Sequence, residues 1–130
     1  MARTTRTFSD LDFNFTAHPV TSDITRRYDE SAIKSAVKNL LMTRHFERPF
    51  HSEIGSPIRQ ILFEPASPMT TIMLKRAIED VITNFEPRVS LIEVKVWDNI
   101  DNNEVAITIV FKIKNTTTPI TLDLVLERTR

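Results

Sequence analysis

Cysteine is absent from this sequence, and glycine occurs once, at Gly55. Without thiols there is no disulfide scaffold and no thiolate metal site, and the composition fits a reducing compartment. Loops of the G-x-G-x-x-G or G-x-x-x-x-G-K kind need several glycines to let backbone amides cradle phosphates, so nucleotide-binding folds built on them are excluded. No apolar run approaches the ~20 residues of a membrane helix. The opening "MARTTRTFSDLDFNF" has no apolar stretch after its arginines, so no secretory signal is expected there. An excess of charge is missing too: 17 Lys and Arg against 17 Asp and Glu give a formal net charge of zero. A dedicated nucleic-acid binder carries a basic excess, and here no basic run exceeds the length of Arg26-Arg27. Near neutrality leaves little self-repulsion, which favours association.

What remains suits one α+β domain. A chain of 130 residues has the size of a single domain and buries roughly two-thirds of the surface exposed when unfolded. Residues 1–28 read as an extended N-terminal arm, rich in Thr, Ser, Asp and Asn, with Leu11, Phe13 and Phe15 alternating as in a short strand. Residues 29–130 read as the domain proper. Asp29 stands where a helix cap belongs, and Ile33, Ala36, Val37, Leu40 and Leu41 follow at helical spacing. Pro49 closes that helical region, and Gly55 can take a positive φ at little cost. Ser56-Pro57 reads as N-cap and first-turn proline of a short helix, "PIRQILF". After Pro65 and Pro68, Thr70 or Thr71 caps a third helix with the stripe Leu74, Ile78, Val81, Ile82 and Phe85.

Beyond Pro87 the helical spacing gives way to alternation. Ile92, Val94 and Val96 form one apolar set, Val105 to Ile113 a second, and Ile120, Leu122, Leu124 and Leu126 a third. Joined by the polar segments "DNIDNN" and "KNTTT", they predict a three-stranded antiparallel meander with helices packed on its apolar face.

Candidate chemistry is sparse. The segment "HFERPFHSE" offers His45, Glu47, His51 and Glu53, residue types that zinc-like ions accept. A proline interrupts it and no His-x-x-x-His pair is present, so it reads as a polar surface loop, and no metal or cofactor is expected. Glu64 and Glu86 each stand between a Phe and a Pro. A lysozyme-like hydrolase would need such carboxylates, one of them held protonated by an apolar neighbour. Arg88 opposes that at Glu86, and no Ser stands in a Gly-flanked elbow, so no catalytic residue and no small-molecule substrate are assigned. "ERPF" and "FEPR" share another property, an Arg beside a Pro with Glu and Phe close by. Two readings stand: helix terminations with local ion pairs, or a rigid polar contact set for another chain. Arginine's planar fork binds carboxylates and carbonyls in fixed geometry, and proline fixes the backbone that presents it.

The order of segments "TRHFERPF", "IGSPIRQILFEP" and "MTTIMLKRAIEDVITNFEPRV", followed by strands, resembles the baseplate wedge, or sheath-initiator, family of contractile-tailed phages. Type VI secretion baseplates and similar injection machines have a related subunit. The resemblance covers roughly residues 30–128. It rests on Arg48-Pro49-Phe50, Gly55, Leu62 to Pro65, and Asn84 to Arg88. It implies a non-enzymatic structural subunit of a virion tail baseplate, assembled in the host cytoplasm, whose partners are other wedge proteins and the tail sheath subunit. Neither nucleic acid nor membrane is an implied partner. Glu86, Pro87 and Arg88 would be the docking core, with Arg48, Pro49, Phe50 and Glu64 in support. The strand region would template the first sheath ring by strand exchange, and Arg88→Ala would leave the isolated fold near wild type. Members have long been labelled lysozyme-like, a label to which the residues here lend little chemistry.

Overall fold

The computed structural model describes residues 8–114 and 116–128. The chain divides into two compact units, residues 1–36 and 37–130.

In the first unit, strands β1 (Ser9–Leu11) and β2 (Arg26–Tyr28) pair antiparallel, with Ser9 opposite Tyr28. Such short strands have little hydrophobic pattern of their own. They are tied by the buried Asp12, whose Oδ1 accepts from Arg27 Nε at 2.9 Å. Arg27 Nη1 also donates to Ser35 Oγ at 3.0 Å. The alternation read through Phe13 and Phe15 stops at Leu11, because Asp12 starts a turn: its carbonyl accepts the Phe15 amide at 3.0 Å. Both phenylalanines are left exposed.

Helix α1 (Asp29–Met42) opens on Asp29 and Glu30, acidic residues that suit the positive end of the helix dipole. Ala32, Ile33, Val37 and Leu41 are its buried positions. The helix ends at Met42, well before Pro49: the Thr43 amide donates the last helical bond, to the Asn39 carbonyl at 3.0 Å, and its hydroxyl donates to the same carbonyl at 2.7 Å. Helix α2 (Ile58–Leu62) has Pro57, not Ser56, at its N-cap. The Ser56 hydroxyl instead donates to the Leu41 carbonyl at 2.6 Å. Helix α3 (Pro68–Phe85) is capped by Ser67, whose Oγ accepts the Thr70 amide at 3.1 Å, with Pro68 as the first helical residue. The expected cap, Thr70, is buried and donates its hydroxyl to the Pro65 carbonyl at 2.8 Å. Leu74, Ile78, Val81 and Ile82 form the buried stripe of α3.

Strands β3 (Val89–Asn99), β4 (Glu104–Ile113) and β5 (Pro119–Glu127) form an antiparallel sheet in that order. Helix α3 packs against β3, and α2 against α3. The fold is the expected α+β arrangement, a three-stranded antiparallel meander with helices on one face; the small sheet of β1 and β2 is separate and belongs to the first unit. Val105, Ile107, Ile109, Phe111 and Ile113 are all buried, as the alternation predicts. Strand β3 departs from the expected pattern. Leu91 pairs with Phe111 but Glu93 with Val110, so Ile92 is an extra residue in a β-bulge and is exposed. The inward set is therefore Val89, Leu91, Val94 and Val96, with the phase shifted at the bulge. A 3-10 turn, Ile100–Asn102, and Asn103 at φ 55° close the β3–β4 connection. Among the described residues no helix is long and apolar enough to cross a membrane.

Candidate functional site

The segment Phe85 to Arg88 forms the corner between α3 and β3. The Glu86 amide donates the last helical bond, to the Ile82 carbonyl at 3.0 Å. Pro87 disfavours helical backbone at the residue before it, and Glu86 accordingly takes φ −121° and ψ 86°. The chain thus leaves the helix at Glu86, and the turn folds Arg88 back over it. Arg88 Nε donates to Glu86 Oε1 at 2.7 Å and Nη2 to Oε2 at 3.1 Å, a two-pronged pair. The Glu86 side chain is 7% exposed and that of Arg88 is 25% exposed. Lys114 donates its amide to the Arg88 carbonyl at 2.9 Å, anchoring the corner to the end of β4. Pro87 itself is exposed. The carboxylate is thus a buried bracket, and the guanidinium is the group it holds toward the surface. Because Glu86 is desolvated, Arg88 is also a fold residue.

Arg48, Pro49 and Phe50 lie on the loop between α1 and α2. All are exposed, Phe50 completely, and Phe46 beside them is 84% exposed. Phe46 and Phe50 both take φ of 66°. The loop is pinched at its base. The Ser56 amide donates to the Thr43 carbonyl at 2.8 Å, and Arg44 bridges Ser56. A Cβ on Gly55 would lie 2.6 Å from the Arg44 carbonyl carbon and oxygen. Gly55 is not at positive φ. Its requirement is space against the Arg44 backbone rather than left-handed freedom. Within the loop, Arg44 donates its amide to Glu47 Oε2 at 2.8 Å, and Phe46 its amide to the Ser52 carbonyl at 3.0 Å. His51 Nδ1 lies 3.3 Å from Glu53 Oε1. The Glu53 carboxyl is held below the usual carboxylate range, first by its own backbone N–H and then by the His51 ring. Glu47 and Glu53 thus serve separate local contacts. Among the described residues no group of three or more His, Asp or Glu is placed to hold a metal ion.

A groove of about 460 Å³ lies along α3, and neither Arg48 to Phe50 nor Glu86 to Arg88 lines it. Its lining includes His45 and Gly55 at the loop base, Ile61 of α2, and Met73, Ala77 and Phe85 of α3.

Glu64 stands elsewhere. It lies just before α3, whereas Glu86 lies just after it, and an 18-residue helix spans roughly 27 Å. Paired glycosidase carboxylates stand roughly 5–10 Å apart, so Glu64 and Glu86 do not form such a pair. Both oxygens of Glu86 also accept from Arg88. The Glu64 carbonyl accepts Arg128 Nη1 at 2.8 Å. Arg128, 6% exposed at its side chain, pairs through Nη2 with Asp98 Oδ2. It also exchanges backbone and side-chain bonds with Asn103, each at 2.9 Å. This clasp ties the end of β5 to the end of β3 and to the α2–α3 turn. Neither Arg128 nor Asp98 was among the expected site residues, yet a signal existed. Extending each strand's alternation by one step puts both on the inward face at the same end of the sheet.

Residues 27–118 match the model of the family described as baseplate wedge protein gp25. The baseplate wedge protein gp25 of Enterobacteria phage T4 is 29% identical over 113 residues, which are 87% of this chain and 85% of that protein. A Geobacter sulfurreducens protein provisionally named a tail lysozyme has the same fold, with a TM-score of 0.70 at 19% identity over 75% of this chain and 89% of that one. A chain of the anti-feeding prophage baseplate has a TM-score of 0.65 at 17% identity, covering 95% of this chain and 87% of its own. A chain of the post-contraction baseplate of pyocin R2 has a TM-score of 0.63 at 19% identity, covering 82% and 99%. At such identities the solved structures establish the fold, whereas the family match spans from β2 to the turn before β5. The chain belongs to the baseplate wedge protein gp25 family.

Proposed function

We propose that this wedge-family subunit works without catalysis in a contractile-tail baseplate, in the virion tail, and joins neighbouring wedge proteins through Glu86, Pro87 and Arg88. The carrying observation is the Glu86–Arg88 fork. Docking is efficient when the binding group is already ordered, because little rotamer entropy is lost on contact. A buried carboxylate gripping the guanidinium at two points achieves that, and Pro87 stiffens the corner. The exposed Arg48-Pro49-Phe50 segment adds an aromatic and a cationic contact, residue types enriched at interfaces. Glu64 takes a local part, through the turn that Arg128 holds.

The sheet supplies the second half of the reading. β3 and β5 are its edge strands, and an open edge can accept a strand from another chain by main-chain pairing. Pairing with the tail sheath subunit at such an edge would template the first sheath ring.

The test needs a protein that folds without the fork. Glu86→Leu with Arg88→Met replaces the buried pair by apolar groups of similar volume, a change that is often neutral for stability. Produced in a host making contractile particles, this folded double variant is expected to yield no complete baseplates by electron microscopy. Normal baseplates would remove the docking role from the corner. Incubation of the wild-type protein with peptidoglycan is expected to release no fragments, and turnover abolished by Glu86→Gln would replace this reading by hydrolysis.

A further inference from the structure

The outward face of the sheet carries an apolar row. Trp97, Ala106 and Val125 are direct cross-strand partners on β3, β4 and β5. Trp97 is 53% exposed and Val125 63% exposed, with Ala106 half-buried between them. A methyl group on the central strand between two large side chains leaves a notch across the sheet. Exposed tryptophan beside such a notch is the kind of group that anchors interfaces.

The flanking rows differ in charge balance. On one side stand Lys95, Thr108 and Asp123. There Thr108 Oγ1 donates to Asp123 Oδ1 at 2.7 Å, and Lys95 pairs with Glu93 at 3.4 Å. On the other side Glu104 and Glu127 face each other directly across β4 and β5. Like charges directly opposite destabilise a sheet, and among the described residues neither carboxylate is joined by an ion pair. The row spacing along a strand is about 7 Å.

We propose that this face docks an amphipathic, arginine-bearing segment of a neighbouring baseplate protein. A bulky apolar side chain seats over Ala106 between Trp97 and Val125, and an arginine one row away bridges Glu104 and Glu127. Charge complementarity selects the occupant. Two adjacent carboxylates match the donors of a guanidinium fork, and the opposite row is already balanced. A second copy of the face fits less well, because its outward cations are lysines without a guanidinium fork, and Lys95 is already paired with Glu93.

The proposal rests on the baseplate reading, so particles made with wild-type protein are analysed first by mass spectrometry. Three probes follow: Trp97→Ser, the double variant Glu104→Gln/Glu127→Gln, and a photoreactive benzoylphenylalanine in place of Trp97. The glutamine pair is expected to raise the melting temperature of the isolated protein by a few degrees, since repulsion is relieved. It should nevertheless lower incorporation into particles by about tenfold or more, as should Trp97→Ser. The photoreactive residue should cross-link to another baseplate protein within about four residues of an arginine, one helical turn. Normal incorporation of either variant, a cross-link to a second copy of this chain, or no cross-link would overturn the proposal. Absence of the wild-type protein from particles would overturn the baseplate reading and this inference with it.

Discussion

Arg88→Ala should destabilise the isolated protein, contrary to the expectation from sequence that it would leave the fold near wild type. Glu86 is nearly sealed, at 7% side-chain exposure, while Arg88 keeps 25%. Removing one partner of a fully buried ion pair costs about 3–5 kcal/mol, because the remaining charge stays desolvated. Here water reaches part of the space the guanidinium leaves, so the expected loss is about 2–3 kcal/mol. For a chain of this size each kcal/mol lowers the melting temperature by about 3–5 °C, giving a drop of roughly 6–15 °C. Thermal and urea unfolding of purified variants, followed by circular dichroism, measure it directly. Glu86→Gln should be milder, about 1 kcal/mol, since Arg88 can turn its freed donors toward solvent. The order matters more than the sizes: Arg88→Ala should be worse than Glu86→Gln. An Arg88→Ala protein within about 0.5 kcal/mol of wild type, the range of ordinary surface substitutions, would show that Glu86 is not a desolvated bracket. The corner would then not be pre-organised.

Three further outcomes test the fold around the site. Gly55→Ala should lose about 2–3 kcal/mol in urea unfolding, since its Cβ meets backbone atoms of Arg44 at 2.6 Å and overpacking of this kind costs about that much. Ser67→Ala should cost about 1 kcal/mol as the α3 cap is lost, whereas Thr71→Ala should cost less by the same assay. Deleting Ile92 should leave a folded protein, because it removes the bulge while keeping Val89, Leu91, Val94 and Val96 inward. Deleting Lys95 should prevent folding, because it reverses the faces of the strand beyond it; proton NMR dispersion distinguishes the two.

Much of the fold was legible where one pattern repeats. The strict alternation from Val105 to Ile113 and the stripe from Leu74 to Ile82 each name a face without knowledge of any neighbour. The misreadings fall where a neighbour decides. The Ile92 bulge is set by the register with β4, which the local pattern of β3 does not contain. Thr70 and Thr71 read as hydroxyl caps from sequence, but Ser67 holds that position, and Thr70 instead reaches the Pro65 carbonyl. Gly55 has two possible reasons, freedom of φ and lack of volume, and only the path of Arg44 selects the second. Strands β1 and β2 are too short to show a period and depend on the pairing of Asp12 with the distant Arg27. At the corner, the proximity of Glu86, Pro87 and Arg88 was plain in the sequence. The division of labour was not: burial makes the glutamate the holder and the arginine the held group.

The loop between α1 and α2 carries a consequence for redesign. Phe46 and Phe50 hold left-handed backbone at φ 66° while their rings stand in solvent. Left-handed backbone costs an ordinary residue roughly 1–2 kcal/mol, and glycine or asparagine far less. An effort to harden the free chain against heat would therefore replace both rings with asparagine first, and by the measure of melting temperature alone it would succeed. The same edit would strip the loop of its two largest exposed surfaces. On the docking role proposed for this loop, thermal screening of the chain in isolation would favour variants that have lost it, so any such screen should score particles alongside melting temperature.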